Sequence, residues 1–169
     1  MSHAVVGLAL GTLTSFPHRR RTFWLASAVL PVLPDLDVVG RAFGISFHSM
    51  WGHRGMSHSF FAAAVIGGIA ALLLHRRLEA PLAPLAVYFA GVTASHGVLD
   101  GLTNGGPGVA FFAPFDGTRY FFPRRPIPVS PLAWDFFGEW GWRVFTSELA
   151  MLWLPAAFVA LLARFFLRR

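Results

Sequence analysis

Apolar residues gather into five runs along the chain, at 4–16, 23–33, 60–74, 82–99 and 147–167, and charge, Gly and Pro collect between them. A helix that crosses a bilayer needs about 20 apolar residues, within a range of roughly 17–25. The last run qualifies and the fourth nearly does. The third reaches that length only if residues 56–59 join it. The first two are short, as expected for tilted spans, a re-entrant hairpin or buried helices of a bundle. In hydrocarbon every backbone N–H and C=O must be satisfied within the segment, so all five runs are expected to be helical. The expected fold is all-α: one domain over residues 1–169, an integral membrane bundle of about five apolar helices ending in a transmembrane helix at 147–167.

Composition agrees with that pattern. Of the 169 residues, 55% are hydrophobic, 15% aromatic and only 13% charged, with mean hydropathy +0.57, far from the soluble average. The N-terminus has no basic stretch ahead of residues 4–16, so the first helix is expected to stay rather than be cleaved as a signal peptide. With no cysteine, disulfides, thiolate zinc sites and cysteine nucleophiles are excluded.

Charge then orients the helices. All fourteen basic residues are arginine, and the net charge is +6. The arginines lie in short clusters beside apolar runs rather than on one basic face, so membrane lipids are the expected partners and nucleic acid is not. His18-Arg19-Arg20-Arg21, His75-Arg76-Arg77 and Arg168-Arg169 share one side if all five runs cross, and the positive-inside rule makes that side cytoplasmic. The other side carries the N-terminus, the 34–59 connection and the long 101–146 connection. The latter holds the turn signal Asn104-Gly105-Gly106-Pro107-Gly108 and an aromatic, arginine-rich stretch from Phe111 to Pro126. Such a loop suits a membrane interface, either as a plain anchor or as a substrate-binding element. Arg119, Arg124 and Arg125 are its candidates for holding a lipid headgroup.

On that same side the chain concentrates its metal-ligand residue types. His3 opens the first run, Asp35 and Asp37 close the second, His53 and His58 precede the third, and His96 and Asp100 close the fourth. His96 and Asp100, four apart on a helix, share a face. Asp35 and Asp37, two apart, would share one in extended chain. His53 and His58 are about 140° apart on a regular helix. They converge only if His53 lies in the loop and His58 starts the helix, with Ser57 as a candidate N-cap. His18 and His75 fall in the basic loops and His48 has no partner spacing, so these three are set aside.

Ionisable residues at membrane depth are functional by default. Imidazole with carboxylate suits zinc, manganese or iron, with zinc the commonest hydrolytic choice. Seven candidate ligands exceed what one catalytic zinc takes, which leaves room for a two-metal site. Asp35 is either a further ligand or the general base for water, and Arg54 stands where a guanidinium could stabilise developing phosphate charge. Two rival readings remain. Ser57, in Gly55-Met56-Ser57-His58-Ser59, partly matches a nucleophile elbow but lacks the final Gly and the strand-turn-helix context. The cluster could also be a structural or regulatory metal site without catalysis. A transport path would place such groups near the midplane instead.

The N-terminal His, Pro-Asp-Leu-Asp, His-Arg-Gly-Met-Ser-His-Ser and His-Gly-Val-Leu-Asp, in this order, resemble the YdjM-like family of bacterial inner-membrane proteins over about residues 2–126. The resemblance implies a metal-dependent hydrolase in the inner (cytoplasmic) membrane. That family is distantly similar to zinc-dependent phospholipase C and P1 nuclease, soluble helical enzymes with clustered zinc ions. The resemblance gives ligand roles to Asp37 or Asp35, to His53 or His58, and to His96 with Asp100, with His3 as an early ligand. The further downstream His and His-x-x-x-Glu of those enzymes are missing here, which implies one or two ions rather than three. The expected function is hydrolysis of a phosphoester, such as that of a phospholipid, at the outer membrane surface.

Overall fold

The computed structural model describes residues 2–16, 20–130 and 137–167. His18 and Arg19 of the first basic cluster and the terminal pair Arg168-Arg169 lie outside them. Helix α1 spans Ser2–Thr12 and α2 spans Arg21–Val29, which runs straight into a 3-10 segment, Leu30–Phe43. Helices α3 (Phe60–Leu78) and α4 (Leu82–Gly101) form an antiparallel hairpin. The chain ends in α5 (Glu139–Glu148), a π-turn at Leu149–Trp153 and α6 (Leu154–Leu167).

Among the described residues, four helical stretches are long and apolar enough to cross a membrane: Arg21–Phe43, Phe60–Leu78, Leu82–Gly101 and Glu139–Phe166. At 11 residues, α1 is only about 16 Å long and falls short. Two expectations change. The second apolar run gains length because helix continues through the prolines to Phe43. The last helix begins at Glu139 rather than at 147, so helix takes the final part of the connection expected to be a loop. Large apolar side chains stay outside, among them Leu73, Val87 and Leu161, at 72%, 75% and 66% exposure. A belt of this kind is stable in lipid, not in water. The protein is a helical membrane bundle.

The hairpin packs at backbone distance. A Cβ on Gly67 would stand 2.2 Å from the Ala90 amide nitrogen, so only glycine admits this contact. Its turn is set by Glu79, a left-handed C-cap at φ 51°, with Pro81 next to prevent the helix from continuing. Around it Phe23, Leu30, Leu78, Leu85, Phe89 and Val92 form the core. At that end Arg20 pairs with Glu79 and donates to the Arg77 carbonyl. The first two basic clusters therefore meet at one end of α3 and α4. The His and Asp residues lie at the other.

Candidate metal centre

The site begins with two prolines. Pro31 and Pro34 lack N–H groups, and the segment takes the i→i−3 pattern, in which the Pro31 carbonyl would need a donor from Pro34. None exists. That buried carbonyl instead lies 2.7 Å from Nδ1 of His96. A carbonyl only accepts, so His96 carries its proton on Nδ1 and presents the Nε2 lone pair.

The 3-10 winding also separates the two aspartates. At three residues per turn, positions two apart diverge by about 120°, where extended chain would have aligned them. Asp35 Oδ1 faces Nε2 of His96 and of His58, at 3.3 and 3.7 Å. Asp37 faces Nδ1 of the same His58 ring at 3.2 Å, takes a 2.8 Å hydrogen bond with Nδ1 of His53, and accepts from the Ser57 hydroxyl. The two carboxylates thus grip opposite edges of one imidazole.

His53 lies in the loop, as convergence required, and His58 ends a short 3-10 turn, Met56–His58. The N-cap of α3 is Ser59, whose side chain accepts from the Ala62 N–H at 3.0 Å. Ser57, the expected cap, serves Asp37 instead. Gly97 allows His58 to reach α4: a Cβ there would meet the His58 carbonyl oxygen at 2.6 Å.

His58 and His96 are almost fully buried, at 3% and 0% exposure, and Asp100 is at 6%. Their Nε2 atoms stand 2.9 Å apart. Asp100 Oδ2 lies 3.4 Å from the first and 3.7 Å from the second. With Asp35 this makes four donor atoms that all lie within 4.8 Å of one another. Two ligands held 2.0–2.1 Å from a tetrahedral ion stand roughly 3.3 Å apart, the middle of the observed spread. His3 stacks on His96 at 3.8 Å between ring centroids, its Nε2 3.6 Å from Asp100. Among the described residues, the buried Nδ1 of His3 has no hydrogen-bond partner. The cluster holds three carboxylates and one guanidinium, a charge a single divalent ion would balance. The donor set fits such an ion.

Burial pushes the His58 imidazole down, but its hydrogen bonds with Asp100, Asp35 and Asp37 outweigh that and hold it up at about 10. Proton and cation compete for one place.

Arg54 is buried, in the left-handed region at φ 63°, a conformation that costs a non-glycine residue of order 1–3 kcal/mol. Its Nε lies 2.9 Å from Asp100, and Nη1 donates to the Gly105 carbonyl at 2.7 Å. It therefore holds Asp100 and anchors the 102–130 loop. Arg119 donates to the backbone carbonyls of His53, Gly108 and Ser49, fastening the same loop over the site. Arg124 and Arg125 are exposed, with Arg125 over the Phe121 ring at 4.8 Å. None of these three lines the cavity of about 550 Å³ that the cluster opens into. His3, Asp35, His53, Arg54 and Asp100 do, and so does a residue that sequence reasoning passed over, Glu148. It accepts from the Ser2 hydroxyl. The signal was a lone carboxylate in an otherwise apolar run.

The family model for YdjM inner membrane proteins matches residues 1–169. The inner membrane protein YbcI of Escherichia coli (strain K12) is 33% identical over 160 residues, covering 92% of this chain and 90% of that protein. No solved structure matches.

Proposed function

The chain belongs to the YdjM family of inner membrane proteins, and on that premise we propose that it is a membrane-embedded, metal-dependent phosphoester hydrolase. The observation that carries this is a set of four donors at ligand spacing, the buried His58, His96 and Asp100 with the half-buried Asp35. Glycerophospholipid is the substrate favoured by a cavity that opens at the end of a bundle of membrane helices.

In this reading His58, His96, Asp35 and Asp100 would hold one divalent ion, zinc by the preference of such a donor set, and His3 would join them from its place beside Asp100. When bound there, such an ion would supply Lewis-acid polarisation and make a nearby water more acidic. Asp37 acts through others: by accepting from His53 and Ser57 and facing His58, it fixes tautomers and ring planes, as outer carboxylates do in metal sites. His53, its Nδ1 committed to Asp37, presents Nε2 as the base that takes a proton from the attacking water. Arg54 orients Asp100 and lends positive charge to the cavity wall, where phosphate oxygens gain charge. Ser57 is a poor nucleophile here. Its hydroxyl is given to Asp37, and the residue does not line the cavity.

The meeting of Arg20 with the Arg77–Glu79 turn at the far end of the hairpin supports a cytoplasmic basic end and an extracytoplasmic site.

The test is metal analysis of detergent-purified protein, joined to hydrolysis assays on bis(4-nitrophenyl) phosphate and phospholipid vesicles. We expect about one divalent ion per chain and turnover that is lost with the metal in His96→Ala. Full metal occupancy without turnover of either substrate would make the site structural or regulatory. Turnover that persists in metal-free protein would overturn the mechanism.

A further inference from the structure

A second compartment lies further along the same helices. Ser2 and His3 of α1 and Glu148 and Leu152 of the last helix line the cavity at the His–Asp cluster. The next turns of the same two helices line an apolar groove of about 380 Å³, with Val5 and Leu8 on one wall and Trp153, Ala156, Ala157 and Ala160 on the other. Trp24 of α2 also lines it. The junction is pinned by one hydrogen-bond chain: the Trp153 indole N–H donates to the Ser2 hydroxyl, which donates to Glu148. Below it, three alanines leave space where longer side chains would have closed α6 onto α1.

We propose that this groove takes one acyl chain of the lipid whose phosphoester enters the cavity. The occupant follows from position. Lipid-facing space in a bilayer is filled by hydrocarbon, and the headgroup of the same molecule then sits at the interface, where the charged cavity lies. An amphiphile laid along α1 and α6 places its phosphate beside Arg54 and the donor cluster and its chain among the alanines. Ala156, Ala157 and Ala160 become residues that set chain specificity.

The turnover arm of the test rests on the hydrolase reading; the binding arm does not. For binding, a phosphatidylglycerol with a diazirine in its acyl chain is photolysed with the purified protein in detergent, and the labelled peptides are mapped. Labelling of residues 5–12 and 153–160 should fall as unlabelled phosphatidylglycerol is added, while labelling at the lipid-facing Leu73 and Val87 should not. Ala157→Phe should remove the competable part. For turnover, Ala157→Phe should slow hydrolysis of long-chain phospholipid by about tenfold or more, the scale on which a filled apolar pocket discriminates. It should leave metal content and bis(4-nitrophenyl) phosphate turnover unchanged. If that variant loses metal, Ala160→Leu is judged by the same two measurements. Groove labelling that is not competed, or that survives the bulky side chain, overturns the proposal. Competable, Phe-sensitive labelling in a protein that hydrolyses no lipid keeps the groove and overturns the hydrolase reading.

Discussion

At the residue scale the site is a set of imidazoles whose tautomers are fixed from behind. The Pro31 carbonyl fixes His96, and Asp37 with Ser57 fixes His58, so the two Nε2 atoms face each other at 2.9 Å. Two predictions belong here. Asp37→Asn should keep the ion-binding stoichiometry but weaken affinity by about 10–100-fold, the usual cost of losing an outer-shell carboxylate. His96→Ala should remove the site, and a chelator-competition titration separates the two outcomes. The second prediction concerns pH. Carboxylates hold the His58 imidazole up at about 10, so it is protonated across the neutral range, and an ion must displace that proton. Apparent affinity should therefore rise with pH by about tenfold per unit between roughly pH 6 and 9 and fall as pH falls, with one proton released per ion bound. Titrations in buffers of different ionisation enthalpy would measure that release. The seven candidate ligands were legible because charge in a membrane run is costly and stands out. The division of labour between Asp35 and Asp37 was not, since it depends on a 120° rotation set by local winding.

At the element scale the 3-10 segment Leu30–Phe43 is the decisive piece. Prolines at 31 and 34 deprive one carbonyl of its helical donor, and that carbonyl becomes the acceptor for His96. Pro34→Ala would restore a donor and allow α-helical winding. We expect a protein that still folds, with unchanged or higher helicity by circular dichroism and clearly weaker ion binding. Gly97→Ala acts through the hairpin: its methyl meets the His58 carbonyl, and overpacking of this kind costs about 1–3 kcal/mol. A lowered midpoint of thermal unfolding, together with reduced metal content, would show both effects. The start of the last helix at Glu139 escaped the sequence reading because Glu139 and Arg143 lie ahead of the apolar run that marks its membrane part.

At the scale of the whole molecule, the basic turn and the His–Asp cluster occupy opposite ends of α3 and α4. Since the chain has no cysteine, single cysteines can report sidedness: Thr118→Cys, in the loop over the site, should react with an impermeant maleimide in intact spheroplasts. Glu79→Cys should react only after permeabilisation; the reverse pattern would place the site in the cytoplasm. By itself the sequence determined the membrane class, the helical form of the apolar runs and the identity of the residues crowding one end. Those follow from transfer free energy and periodicity, which depend on residue type and local spacing. Only the tertiary structure decided which donors converge, that Arg119 fastens a loop rather than facing the cavity, and that Glu148 joins the site from across some 145 residues of chain. Such outcomes rest on hydrogen-bond partners contributed by distant segments, on carbonyls left open by proline and on gaps left by alanine. They exist only once the helices have packed.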